Sequence, residues 1–366
     1  MDMVETKQGD GQLPESVALL PPGAAAGLVD WTRIGVHLAA HGLTLDPDFA
    51  PRRFAGGLAN INMLVRIDGN WAVFRRPPPG PLPKGAHDMA REHRVLGRLW
   101  RQLSIAPRSL HYCGDATIAG APFQILVFHE GRIVRGDTLA PLPETEESGG
   151  ALSKMMIETL ARIHAVDVEA AGLGDLGRPE GFLQRTAKGW SARAETVSRG
   201  RISSACAAVA DWLERQQPAD TPRPTLLHND FKLDNIILAA NAIAPAAVVD
   251  WDMATRGDPL FDLATLLSYW TEPGDPPCMQ ALRQMPIAQP GFLTREAAAG
   301  SYAALTGRAL DDFRFPRVLA MFKLGVVFLQ LHAMQDADGA PDPRLSAIVP
   351  DELFAFALDV ARGRMF

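Results

Sequence analysis

The period of the apolar residues changes along this chain, and that change limits the folds open to it. From Phe54 the apolar positions alternate. "NINMLVRI" and "WAVFRR" are short, rich in branched and aromatic residues, and joined by "DGN", a pattern that specifies a β-hairpin. "HDMAREHRVLGRLWRQL" returns to helical spacing, and "PFQILVFHEG" reads as a buried strand running into a turn at Gly131. After residue 145 the spacing is mostly helical, in "ALSKMMIETLARIHAVD", "ISSACAAVADWLERQQ", "DLATLLSYW", "REAAAGSYAALTG", "FPRVLAMFKLGVVFLQLHAMQ" and "ELFAFALDVARG". Only "NIIL" and "AAVVDW", joined by the turn-like "AANAIAP", interrupt it. This order predicts an α+β fold, with a small antiparallel-sheet N-terminal lobe over residues 28–130 and a mainly helical C-terminal lobe over 131–366.

Residues 1–27, with "KQGDGQLPES" and "PPGAAAG", are expected to form a flexible tail, because polar, Gly and Pro residues bury too little to offset ordering entropy. A helix follows in "LVDWTRIGVHLAAHG", with Asp30 placed to cap its start and Gly42 to end it. A net charge of -6 supplies no basic field for a polyanion, so nucleic acid is not an expected partner. Cys113, Cys206 and Cys278 lack disulfide or zinc-site spacing. No basic leader precedes an apolar core, and no apolar run approaches the ~18 residues of a spanning helix. The expectation is a cytoplasmic protein with no membrane partner.

The chemistry concentrates in "LLHNDFKLDNIIL", residues 226–238. Phosphoryl transfer needs a carboxylate to take the proton of a hydroxyl nucleophile, oxygen ligands for Mg²⁺, and a cation on the phosphates. Asp230 would be the base, Asn235 and Asp250 the metal ligands, and Lys232 the cation. The protein-kinase signature H-R-D-L-x-x-x-N followed by D-F-G has the same Asp-to-Asn separation. An exposed β-turn built from common turn residues is the competing reading. Upstream, Gly56 and Gly57 would let backbone approach phosphates. Arg75 or Arg76 at the end of "AVFRR" is placed to pair with Glu92. Alternation puts Arg75 with Trp71 and Val73, and so favours it, although two arginines on a solvated strand end give the same spacing.

With these parts in order, the chain resembles the aminoglycoside phosphotransferase and choline kinase-like superfamily, in particular the kinase-like domain associated with acyl-CoA dehydrogenases. The segments carrying the resemblance include "GGLANINMLV", "FRRPPPGPLPKGAHDMAREHRVL", "LARIHAVDV", "LLHNDFKLDNIIL" and "VVDWDMATRGDPLFDLA". The resemblance implies a protein-kinase-like two-lobed fold and the cofactors ATP and Mg²⁺. It implies nucleotide contacts at Gly56, Gly57, Asn60, Arg75 and Glu92, catalysis at Asp230 and Lys232, and metal ligands at Asn235 and Asp250. Asp262 matches a structural carboxylate that holds the catalytic loop's backbone. His228 reads as a loop anchor and His164 as a helix-packing residue.

Three positions depart from the commoner pattern: Ala59 where Ser is frequent, Arg75 where antibiotic kinases have Lys, and Asp252 where Glu is frequent. The implied substrate is a small molecule, a hydroxyacyl-CoA thioester of the 4-hydroxy type, with a functional link to an acyl-CoA dehydrogenase. An aminoglycoside, choline or other amino-alcohol or sugar kinase is the alternative, and a nucleotide-binding pseudokinase the second. "TEPGDPPCMQALRQMPIAQPGF" suits either an acyl-chain pocket or a packing loop.

Overall fold

The computed structural model describes residues 13–14, 17–21, 23, 27–55, 60–78, 80, 87–311, 313–338 and 346–366. Gly56, Gly57 and Ala59 of the expected phosphate loop lie outside the described residues. The chain divides into two compact units, the first containing residues up to Arg132 together with Ile236–Ala254, the second Ile133–Asn235 with Thr255–Phe366.

The first unit is built on a five-stranded antiparallel sheet in the order β1-β2-β3-β5-β4. Its strands are β1 (Arg52–Arg53), β2 (Ile61–Ile67), β3 (Asn70–Arg76), β4 (Ser109–Cys113) and β5 (Phe123–Val127). Asp68 and Gly69 form the two-residue loop between β2 and β3, both with positive φ, as the tight hairpin turn demands. Alternation then sorts the side chains. Ile61, Met63, Val65, Ile67, Ala72 and Phe74 join Phe123 and Ile125 on one face. Helix α1 (Trp31–Ala40) covers that face with Ile34 and Leu38, and its first turn is capped by Asp30, which accepts from the Arg33 N–H at 3.0 Å. Leu64, Trp71 and Phe128 cluster on the other face. Burying each such large side chain contributes roughly 1.5–3 kcal/mol.

Two expectations need correction here. Part of the supposed tail belongs to the fold: Leu19 bridges Phe54, the Leu20 N–H donates to the Arg53 carbonyl at 2.8 Å, and Val17 and Leu19 pack on the second cluster. The apolar "VALL" is short, but an open strand edge beside it supplies the partners that its own composition lacks. The single boundary near residue 130 also fails, because the hairpin of β7 (Ile236–Leu238) and β8 (Pro245–Val248) returns to the first unit. Arg132 and Leu238 exchange two backbone hydrogen bonds at 2.8 Å, and the Val248 N–H donates to the Ile105 carbonyl at 2.7 Å. At Gly131 a Cβ would sit 2.1 Å from the Leu238 carbonyl oxygen, so the glycine permits this close approach. Helix α2 (Met89–Leu99) and the single-turn α3 (Ala116–Ala119) complete the unit.

The second unit is mainly helical: α4 (Glu146–His164), α5 (Phe182–Val197), α6 (Ser204–Arg215), α7 (Pro259–Ser268), α8 (Pro277–Leu282), α9 (Arg295–Thr306), α10 (Arg314–Asp338) and α11 (Pro350–Ala361), with a short pair β6 (Thr225–Leu227) and β9 (Thr255–Gly257). Helix α10 is central, packing against α5, α6, α7 and α11. Contrary to the expectation from sequence, its segment Arg314–Gln335 is long and apolar enough to cross a membrane by length and composition; more than half of it is buried inside the protein. Arg317 and Lys323 interrupt the apolar run, and both are buried. Helix α5 escapes the periodicity reading because only Phe182, Leu183, Ala187 and Ala194 of its 16 residues are buried. In residues 271–292 the apolar side chains Cys278, Met279, Leu282, Met285 and Ile287 are all buried, and Asp275 clamps Arg295 at 2.6 and 2.9 Å, which favours the packing role.

Candidate active site

In the second unit the loop after β6 alternates inward and outward. Phe231 and Leu233 are fully buried, while Asp230 and Lys232, which alternate with them, are half-buried. The apolar flanks therefore fix a row of polar groups. Asn229 holds a φ of 69°, in the left-handed region that Asn tolerates better than most residues. The loop backbone is tied down by Asp262 on α7, whose carboxylate accepts from the His228 N–H at 2.6 Å and the Asn229 N–H at 2.7 Å. His164 of α4 lies 3.3 Å from the same carboxylate and 2.6 Å from the Tyr302 hydroxyl, joining α4, α7 and α9. His228 is fully buried, and its Nδ1 accepts from the Asp230 N–H at 3.3 Å. These contacts place Asp262, His228 and His164 in support of the loop.

Lys232 Nζ lies 3.1 Å from Asp230 Oδ2 and 5.3 Å from the centre of the Tyr269 ring. Burial alone would push the Asp230 carboxyl up, but Lys232, Lys323 and His228 hold it below its ordinary value. Burial likewise disfavours the Lys232 ammonium, yet Asp230 and the neighbouring acidic groups raise it well above the usual lysine range. The loop thus presents an ionised carboxylate beside a firmly charged ammonium. A short 3-10 turn, Leu233–Asn235, brings the Asn235 amide back to the loop, where Nδ2 donates to the Asp230 carbonyl at 2.8 Å. With its NH₂ engaged, Asn235 has its amide oxygen left as a donor for a hard cation, the type of ligand Mg²⁺ takes.

In the first unit Arg75 extends from β3 and is nearly fully buried. Its Nε donates to Glu92 Oε2 of α2 at 2.8 Å, Nη1 to Asn62 Oδ1 at 3.2 Å, and Nη2 to Asp250 Oδ1. Burial would lower the guanidinium's pKa, but Asp250, Glu92 and Asp252 raise it, so the charge is secure. Glu92 also accepts from Gln124 of β5 and, at 3.1 Å, from the Trp251 N–H. One buried carboxylate therefore joins β3, α2, β5 and the segment after β8. Arg76 points to the opposite face and donates to the Ala119 carbonyl, as alternation requires. Asp250 has a φ of 71°.

Asn60 is buried and its Oδ1 meets His87 Nδ1 at 2.9 Å; the His87 N–H donates to Asp252 at 3.1 Å. Asp252 thus holds the backbone at His87. Sequence reasoning passed over Gln124 and Tyr269. A polar residue within the apolar run "PFQILVF" was the available signal for the first; the second gives none, since an aromatic residue at a helix end is ordinary core material.

The model of the phosphotransferase enzyme family matches residues 51–299. A chicken (Gallus gallus) protein, acyl-CoA dehydrogenase family member 11, is 33% identical over 221 residues, covering 60% of this chain and 28% of that protein. Mouse (Mus musculus) acyl-CoA dehydrogenase family member 10 is 28% identical over 277 residues, covering 75% of this chain and 25% of that protein. The chain spans about a quarter of the length of these two relatives. Among solved structures, a putative aminoglycoside phosphotransferase from Ralstonia eutropha superposes with a TM-score of 0.72 at 23% identity, covering 92% of this chain and 99% of that one, and shows that the fold is kinase-like. An aminoglycoside phosphotransferase solved with GDP and kanamycin superposes with a TM-score of 0.57 at 18% identity, covering 87% and 96%. The family resemblance drawn from the motifs is confirmed: the chain belongs to the phosphotransferase enzyme family, as a kinase-type phosphotransferase.

Proposed function

We propose that the protein transfers the γ-phosphate of ATP to the hydroxyl of a hydroxyacyl-CoA thioester. Asp230 orients the acceptor hydroxyl and takes its proton as the oxygen bonds to the γ-phosphorus. The bond from that phosphorus to the β–γ bridging oxygen breaks, and ADP leaves. Lys232, held charged beside Asp230, offsets negative charge on the transferring group. Asn235 and Asp250 are the residues that would hold Mg²⁺, and both offer the oxygen ligands that ion requires. When bound, Mg²⁺ would neutralise charge on the β- and γ-phosphates. Arg75, fixed by Glu92, places a permanent cation for the nucleotide phosphates, and Gly56, Gly57 and Asn60 belong to the segment that would approach them.

The observation that carries the substrate class is the match, at about 30% identity, to proteins named as acyl-CoA dehydrogenase family members. Proteins so named point to acyl-CoA thioesters, which supports a thioester as the acceptor, and a phosphorylated hydroxyl is a leaving group that later acyl-chain chemistry can use. A functional link to an acyl-CoA dehydrogenase follows from the same reading.

The test is Mg²⁺-dependent ADP release with 3-, 4- and 5-hydroxyacyl-CoA thioesters, the free hydroxy acids, choline and kanamycin. Turnover of a thioester but not of its free acid is the expected result. Turnover confined to choline or kanamycin would move the protein to an amino-alcohol or antibiotic kinase, and ATP binding without any turnover would make it a pseudokinase.

A further inference from the structure

Three histidines in the first unit take no part in the kinase chemistry. His37 and His41 stand four residues apart in "GVHLAAH", which puts both on one side of α1, and His111 comes from β4, the edge strand of the sheet. One ring nitrogen from each lies within 4.8 Å of the other two. His37 Nε2 and His111 Nε2 are 3.0 Å apart. In a tetrahedral zinc site with Zn–N bonds of about 2.0–2.1 Å, ligand nitrogens are separated by roughly 3.3 Å, so this pair is already at ligating distance.

The orientation of the third ring is a separate observation. His41 Nδ1 lies 2.8 Å from the His37 carbonyl oxygen, an acceptor, so Nδ1 carries the proton and Nε2 keeps its lone pair. A second ring nitrogen anchored on a backbone carbonyl is the arrangement that fixes tautomer and direction in metal-ligating histidines. His41 is also the C-cap residue of α1, where the helix carbonyls favour a cation. Charges of both signs lie nearby: Asp115 acts on His37, and Arg33 of α1 acts on Asp115. His41 is exposed and the other two rings are half-buried, so an ion has a path from solvent.

We propose that His37, His41 and His111 form a binding site for one divalent transition-metal ion of the borderline class, with Zn²⁺ the best fit, leaving a fourth position to water. The ion joins α1 to the edge strand β4. Binding needs His37 and His111 both in the Nδ1–H tautomer, so the proton shared between their Nε2 atoms moves to a δ nitrogen and no net proton is released. Imidazole ligands with water suit Zn²⁺, whereas the carboxylate and amide oxygens of the catalytic segments suit Mg²⁺, so the two sites differ in ligand class.

The experiment is equilibrium dialysis of the untagged 366-residue chain against Zn²⁺ in excess Mg²⁺, with the bound metal counted by mass spectrometry and Co²⁺ spectra recorded as a second readout. One saturable Zn²⁺ per chain is expected, together with the intense visible bands of tetrahedral Co²⁺. His41→Ala, an exposed substitution that leaves the fold intact by circular dichroism, should weaken binding by at least about tenfold. His37→Gln and His111→Gln should do the same. Absence of saturable Zn²⁺ binding by the wild type would overturn the proposal and leave a stack of hydrogen-bonded rings; so would Zn²⁺ binding of unchanged affinity in His41→Ala, which would place the ion elsewhere.

Discussion

Asp262→Asn tests how the catalytic loop is held. The carboxylate is fully buried and receives the His228 N–H at 2.6 Å on one oxygen and the Asn229 N–H at 2.7 Å on the other. Hydrogen bonds to a charged group contribute about 1.5–3 kcal/mol each, and a buried N–H left without an acceptor costs about 1–3 kcal/mol. The amide keeps one acceptor oxygen and turns an NH₂ toward the second backbone N–H, so one bond is lost and the other loses its charge assistance. The expected destabilisation is about 2–4 kcal/mol. Asp230 follows Asn229 directly, so the same change displaces the proposed base, and a misplacement of about 1 Å lowers turnover by about 10²-fold. Urea unfolding reads the first effect, and hydrogen exchange of a peptide covering 226–231 localises it. A loss below about 0.5 kcal/mol with unchanged exchange in that peptide would refute the assignment of Asp262 as the anchor.

Asp230→Asn should lower kcat by about 10²-fold or more while ATP binding measured by calorimetry is retained, since it removes a group acting in the chemical step; equal turnover would remove Asp230 from the mechanism. Asp250→Ala should weaken nucleotide binding only when Mg²⁺ is present, and an unchanged Mg²⁺ requirement would end its role as ligand. Arg75→Met should destabilise by about 3–5 kcal/mol in thermal or urea unfolding, because Glu92 and the partly buried Asp250 lose their shared cation; Arg75→Lys should lose less, keeping charge without the three-way fork. A neutral Arg75→Met would contradict the buried pairing. Acidification gives a further check. The Asp230 carboxyl is held below its ordinary value of 3.8, so its contribution to stability is fully present above that pH and is lost as pH falls through the lower folded value. The stability gap between wild type and Asp230→Asn should therefore narrow on titration from pH 7 toward about pH 3; a constant or widening gap would contradict the depressed value.

The features legible without a structure were those set by neighbours in the chain. The hairpin over β2 and β3 follows from alternation and from Asp68-Gly69, and the same alternation separates Arg75 from Arg76 before any contact is known. The cap at Asp30 is a local signal of the same kind. Where pattern reading failed, the deciding partner was distant. Leu19 is held by Phe54, helix α10 tolerates Arg317 because the Ala264 carbonyl and Ser268 hydroxyl receive its guanidinium at 3.3 and 3.2 Å, and Gln124 matters only because Glu92 faces it.

The sequence by itself determined the family and the list of chemical groups, because "HNDFKLDN" with Asp250 carries carboxylates, an ammonium and a side-chain amide at the spacing that a kinase signature requires. It also determined the change from sheet to helix, since periodicity is a property of consecutive residues. Tertiary structure alone decided how those groups are charged and held. Asp262 reaches the catalytic loop from 33 and 34 residues away, Asp250 meets Arg75 across 175, and β7 and β8 join the first unit through Arg132 and Ile105. Such pairings depend on burial and on donors brought together from separate segments, and burial is what makes a charge either secure or expensive. No local pattern encodes them.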